Sequence, residues 1–201
     1  MMGRVSTDSV TGGYLKGRIR REDILTAAVA VYGEAGYHGS SLREVAKRAG
    51  ITHAGLLYYF PTKEALLAAV LERRDAEDAE REHLGAPPGL EVLRNLIALA
   101  EYNVAHPGIV DLYSRLAAEA VAPDHPAHDY FVRHYRLVRT SASESFRVLA
   151  GRGELRAGID PRVAATTFVA LMDGLQVQWL TTPDEVDLVA TLRRYLDSVL
   201  A

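Results

Sequence analysis

Thr52, His53, Tyr58, Tyr59 and Lys63 fall within a window of twelve residues and bring hydroxyl, imidazole, phenol and ammonium groups together. These groups donate to phosphate oxygens, and threonine and histidine also reach base edges, whereas Gly55 between them has no side chain to hold a surface away. The same residues have a plainer use, with the tyrosines plugging a helical domain and His53 solvated, and taken alone they leave both readings open. No side chains supply a nucleophile with a base and an orienting group, so no catalytic residue is expected. Asp124, His125 and His128 cluster, with His106 and His134 elsewhere. Histidines three apart offer two ligands where a metal needs three or four, and Asp124 reads as a helix cap. Neither a metal nor a cofactor is expected.

The elements that would position the window are legible around it. Leu42, Val45, Ala46 and Ala49 repeat at helical spacing and leave Arg43, Lys47 and Arg48 off the apolar face. Ser41 and Glu44 have the spacing of a capping box. Gly50 stands where a helix turns through positive φ, with Ile51 as the following apolar contact. Thr52 can cap a second helix whose core residues are Ile51, Leu56 and Phe60. Two short helices joined by a glycine turn make a helix-turn-helix, whose second helix enters the major groove N-terminus first.

The run AKRAGITHAGLLYYFPTKEALL resembles the DNA-binding motif of the TetR/AcrR family of transcriptional regulators. The resemblance is strong from Arg18 to about Arg73, and beyond that it rests on helix pattern. It implies DNA contacts from the small residue opening the recognition helix, the aromatics before Phe-Pro and the lysine after it, which are Thr52, His53, Tyr58, Tyr59 and Lys63 here. It also implies contacts from Ser41, which opens the preceding helix, and from its neighbour Arg43. Leu57 departs from the pattern, because many members have a tyrosine there, so no role is carried over to it.

The chain has 201 residues, of which 48% are apolar, and no cysteine. That length buries a substantial core in one or two domains. There is no disulfide framework, no apolar run long enough to span a membrane and no signal-peptide core, so a soluble cytoplasmic protein is expected. The net charge is −3. Residues 1–60 hold eight basic and five acidic side chains, a balance of +3 that leaves −6 for the rest. The positive part coincides with the helix-turn-helix, as phosphate attraction requires.

The pattern predicts an all-α protein of about nine helices. Residues 1–17 read as a flexible arm, 18–78 as the DNA-binding domain with its motif at 41–60, and 85–201 as an effector-binding and dimerisation domain. Arg18, Arg20 and Arg21 open a helix to about Gly36, with the stripe Ile24, Ala28, Val31 and Ala35, and are placed to clamp the DNA backbone. Thr62 caps a helix to about His83 with Leu66, Leu67, Val70 and Leu71 inward and a charged, solvated second half. Gly85 to Gly89 breaks the chain. Helices follow at about 89–105, 108–121, 125–152, 161–180 and 184–200. Asp160-Pro161 starts the fourth of these, and a Thr182-Pro183-Asp184-Glu185 box starts the fifth.

In the last two helices, Val163, Thr167, Ala170, Leu171, Gly174, Leu175 and Gln178 form one stripe. Val186, Val189, Leu192, Leu196 and Val199 form another. The resemblance implies that this pair forms a four-helix bundle with a second subunit, and a twofold dimer matches a palindromic operator; the plainer alternative is that the stripes only close the chain's own core. Of the second stripe, Val189, Leu192 and Leu196 are taken as interface residues. Tyr102, Tyr113, Tyr130, Phe131, Tyr135, Phe168, Met172, Gln176 and Trp179 have the composition of a small-molecule pocket, and equally of a helical core. The family implies an effector there, expected to be apolar or aromatic, that releases DNA. The expected partners are a double-stranded operator, a second copy of the chain and that effector, with repression as the family default and no membrane. An all-α ligand-binding bundle or enzyme is the alternative, and it leaves the Ser41–Lys63 pattern unexplained.

Overall fold

The computed structural model describes the backbone of residues 8–81 and 86–201, with side chains from 17 to 77 and from 86 onward. Nine α-helices make up the described residues, which divide into two compact units at Leu71/Glu72. No helix among them is long and apolar enough to cross a membrane. The earliest part of the expected arm (1–7) and the break at Gly85 lie outside the described residues.

The first unit is built on α1 (Asp8–Gly39), α2 (Leu42–Arg48), α3 (His53–Tyr59) and the start of α4 (Lys63–Arg81). Helix α1 begins at Asp8 rather than at Arg18, because Gly12, Gly13 and Gly17 weaken a helix without removing its hydrogen bonds as proline would. It kinks at Gly36, whose φ of 71° is left-handed. Ile24, Ala28 and Val31 are buried as their spacing predicts, but Ala35 is exposed, and Tyr32 fills the core on that turn. Val45, Ala46, Leu56, Phe60, Leu66, Leu67, Val70 and Leu71 are also buried.

Short helices need their ends satisfied, and each cap here has a named donor and acceptor. The Glu44 amide donates to Ser41 Oγ at 3.2 Å, the serine half of the predicted capping box. After α2 the Ile51 amide donates to the Ala46 carbonyl at 3.0 Å and the Gly50 amide to the Lys47 carbonyl at 3.2 Å. Together these bonds form a Schellman turn around Gly50, whose φ is 66°. The Gly55 amide then donates to Thr52 Oγ1 at 3.0 Å, and the Ala65 amide to Thr62 Oγ1 at 3.1 Å.

The second unit comprises the rest of α4 with α5 (Leu90–Val104), α6 (Pro107–Glu119), α7 (His128–Gly151), α8 (Pro161–Thr181) and α9 (Leu188–Val199). Leu93, Ile97, Phe146, Leu149, Phe168 and Met172 meet in one core with Leu192 and Leu196. Asp160 caps α8 through the Arg162 and Val163 amides, as expected. The expected starts of α7 and α9 are corrected. Asp124 is exposed and caps nothing, since α7 begins at His128 after Ala127 without a side-chain cap. Thr182 instead ends α8, its hydroxyl donating to the Gln178 carbonyl at 3.2 Å. The 182–186 segment makes one turn, and the cap of α9 is Asp187, five residues after Thr182, which accepts from the Ala190 amide at 2.9 Å. Leu188 is thereby the first apolar residue of α9 placed in the core.

An added Cβ at Gly50 meets no atom within 4 Å, so alanine there is resisted by backbone conformation alone. Gly50→Ala is expected to destabilise the first unit by roughly 1–2 kcal/mol, read as a lower urea midpoint with unchanged slope.

Candidate nucleic-acid interface and body cavity

On a helix, positions three and four apart are neighbours, so Thr52, Gly55, Tyr58 and Tyr59 share one face of α3. Leu56 and Phe60 occupy another and are buried. Tyr58 is 85% exposed, whereas Tyr59, His53 and Leu57 are half-buried. The Tyr58 and Tyr59 rings meet edge to face at 5.2 Å and 89°. Ser41 and Thr52 spend an oxygen lone pair on their caps and keep the hydroxyl proton to donate elsewhere.

The basic residues of this unit divide into two sets. Arg48 forks onto both carboxylate oxygens of Glu34 at 2.6 and 2.8 Å, and this hydrogen bond lowers the Glu34 pKa. Arg21 lies over the Phe60 ring at 5.2 Å, and Arg20 approaches Asp23 at 3.9 Å. Lys63 Nζ donates to the Ser40 carbonyl at 2.6 Å and sits 4.4 Å from the Tyr37 ring centroid. Tyr37 in turn donates to Glu64 at 2.9 Å. Arg18, Arg43 and Lys47 are exposed and enter no ion pair among the described residues. Lys63 is therefore also a structural residue of this unit, which its spacing after Phe-Pro did not reveal. An ammonium has three donors, so the bond to Ser40 leaves it able to meet a phosphate.

The second unit holds a cavity of about 850 Å³. Five expected pocket residues line it: Tyr113, Tyr130, Phe131, Tyr135 and Met172, with Gln176 as a sixth. Three do not, and each is a correction. Phe168 is fully buried against Phe146 and Tyr195, Trp179 packs on the same core, and Tyr102 stacks on His106 at 4.0 Å. Arg74, Asp75 and Asp173 line the cavity and were not expected there; the first two fall in 72–83, which reads as a solvated charge run. Arg74 lies 3.7 Å above the Tyr113 ring, and Tyr130 donates to Asp75 at 2.6 Å. Burial first, then the neighbouring Tyr113 and Asp75, raises the Tyr130 pKa far above the ordinary phenol value.

The histidines near α7 serve the backbone. His125 Nδ1 accepts from the Ala127 amide at 3.1 Å, and His128 Nδ1 lies 2.9 Å from the Ala120 carbonyl oxygen.

The expected interface stripe also divides. Val163, Thr167, Ala170, Gly174 and Gln178 are exposed along α8, with Leu171 and Val189 half-buried. Leu175, Leu192 and Leu196 are corrected, because they are buried in the unit's own core and have no surface left for a partner.

Residues 24–70 match the family model "Bacterial regulatory proteins, tetR family", and residues 107–201 match "BetI-type transcriptional repressor, C-terminal". The chain belongs to the TetR family. The HTH-type transcriptional regulator RutR of Escherichia coli (strain K12) is 44% identical over 54 residues, 27% of this chain and 26% of that one. The A-factor receptor protein of Streptomyces griseus is 27% identical over 159 residues, 77% of this chain and 52% of that one. The chain thus spans between about a quarter and about half the length of these curated relatives. Among solved structures, the SmeT–triclosan complex has the same fold, with a TM-score of 0.77 at 21% identity over 91% of this chain and 92% of that one.

Lys63→Met keeps the apolar stem and removes the ammonium. Losing the charge-assisted bond to Ser40 is expected to cost about 1–3 kcal/mol of stability in the first unit, measurable by chemical unfolding in the absence of DNA.

Proposed function

We propose that this TetR-family chain is a transcriptional repressor that binds a palindromic operator as a homodimer and releases it when a small molecule occupies the body cavity. The observation that carries the reading is the α3 face of Thr52, Gly55, Tyr58 and Tyr59, flanked by the buried Leu56 and capped by Thr52 at its N-terminal end. Thr52 and His53 read base edges. Ser41, Tyr58, Tyr59 and Lys63 hold phosphates, joined by the unpaired cations Arg18 and Arg43 and by Arg20 at the edge. Leu57, half-buried where many relatives have a tyrosine, is given no phosphate contact.

Homodimer formation uses the exposed α8 face from Val163 to Gln178 with Leu171 and Val189 at its margin. A twofold pair of such protomers presents two recognition helices to two half-sites. An effector acts through α4. This helix starts three residues after Phe60, and its Arg74 and Asp75 lie in the cavity wall. A ligand that displaces Tyr130 from Asp75 favours one placement of α4 over another, which is the differential affinity that release requires. Enzymatic activity has no candidate residues, and the protein acts in the cytoplasm where its DNA is.

Operator selected from random duplexes tests this directly. With about six phosphate contacts, affinity is expected to fall by roughly 10³ between 50 and 200 mM salt. Tyr58→Phe is expected to weaken binding several-fold at unchanged stability, since its hydroxyl is solvent-exposed in the free protein. A flat salt dependence together with unaltered binding by Tyr58→Phe would remove the docking assigned to α3.

Gly174→Arg tests the dimer separately. An added Cβ at Gly174 meets nothing within 4 Å in the protomer, so the protomer itself tolerates the change. Sedimentation at micromolar concentration is expected to give a dimer for the parent chain and a monomer for the variant.

A further inference from the structure

The cavity wall carries charge in unequal states of compensation. At one side, Arg74 is stacked on Tyr113 and Asp75 accepts from Tyr130, so each charge has a protein group against it. Arg133 and Arg136 reach the wall from exposed positions. Asp173 of α8 differs. Its one protein partner is the phenol of Tyr135, and among the described residues no lysine, arginine or histidine pairs with it. Asp173 is exposed by area and lines the cavity, yet the protein crowded around its carboxyl raises its pKa above the ordinary carboxylate range. Both observations describe a carboxyl that faces a cavity and lacks a counter-charge. Next to it Tyr135 and Phe131 present rings 6.2 Å apart, and Phe131 stands edge-on to Tyr130 at 5.1 Å. Arg139 lies 6.0 Å from the Tyr135 ring centroid and its charge acts on the Tyr135 phenol, but it is exposed, lies outside the lining and is not among the groups acting on Asp173.

Aromatic faces attract cations through their quadrupole, and a carboxylate adds a full charge at the same place. We propose that the body cavity takes an organic cation with an apolar body, its ammonium set against Asp173 and the Phe131 and Tyr135 rings. This rests on the effector reading above and narrows it from an apolar or aromatic ligand to a charged one. The cation supplies the partner that Asp173 lacks, and Met172 and Gln176 of the same helix flank the carboxyl.

Calorimetric titration of the full chain with three probes of similar size tests the assignment. The probes are benzyltrimethylammonium, its uncharged carbon isostere neopentylbenzene, and benzenesulfonate. The cation is expected to bind at least about tenfold more tightly than the isostere, with the sulfonate weakest. Asp173→Asn keeps the shape and an oxygen that accepts from Tyr135 but removes the charge. It is expected to abolish the preference for the cation while leaving affinity for neopentylbenzene unchanged. Equal affinity for cation and isostere, or a cation preference that survives Asp173→Asn, would overturn the proposal. The circular dichroism melt of the variant separates loss of charge from loss of fold, with Asp173→Glu as the charge-retaining control. Operator affinity is measured independently. Cation selectivity without any effect on DNA counts against the effector reading and supports the cation site.

Discussion

A helix of seven residues is not stable by itself in water, because nucleation is costly and two turns return few hydrogen bonds. Helix α3 exists because its surroundings hold it. Leu56 and Phe60 anchor one face in the core, Thr52 satisfies its first amides, and the Schellman turn at Gly50 fixes where it begins. Leu56 and Phe60 lie beside the Gly55, Tyr58 and Tyr59 face, and Thr52 acts at the helix end, where its cap uses only an oxygen lone pair. Tyr58 is thereby left exposed and can meet another molecule. Lys63 and Tyr37 extend the same logic, bracing the segment before α2 against the start of α4 through Ser40 and Glu64.

The body solves a different problem, since its helices must close a core and still leave a cavity of about 850 Å³. The two tasks are divided along each helix. On α7 the N-terminal turns give Tyr130, Phe131 and Tyr135 to the cavity, while the C-terminal turns give Phe146 and Leu149 to the core. On α8, Phe168 is core and Asp173 faces the cavity. Several charged groups of the wall have an aromatic partner in the same wall, Arg74 on Tyr113 and Asp75 on Tyr130, which lowers the cost of lining a cavity with charge.

How much of this could be read from residue order depends on whether the deciding interaction is local. The caps at Ser41, Thr52, Thr62 and Asp160 act over two or three residues, and each forms as its spacing predicts. Thr182 reads as the cap of the last helix, but Asp187 takes that role, and the start there delivers Leu188 to the core. The stripe holding Leu175 and the one holding Leu192 and Leu196 have the right period but no marker of their partner, so an intramolecular contact reads the same as a subunit contact. Phe168, Trp179 and Tyr102 have the composition of pocket residues and face elsewhere. Arg74 and Asp75 were hidden in a charge run, where solvation is the default and only the tertiary fold brings Tyr113 and Tyr130 to meet them.

The edge-to-face pair of Tyr58 and Tyr59 has a thermodynamic consequence. An exposed side chain normally samples several rotamers, and a surface that captures one of them loses that entropy on association. Tyr58 projects into solvent with its ring already braced by its neighbour, so much of its freedom is surrendered during folding. In the docking proposed above, its contribution to association is then dominated by the bonds it makes, and the α3 face meets DNA as a shaped solid more than as a flexible brush.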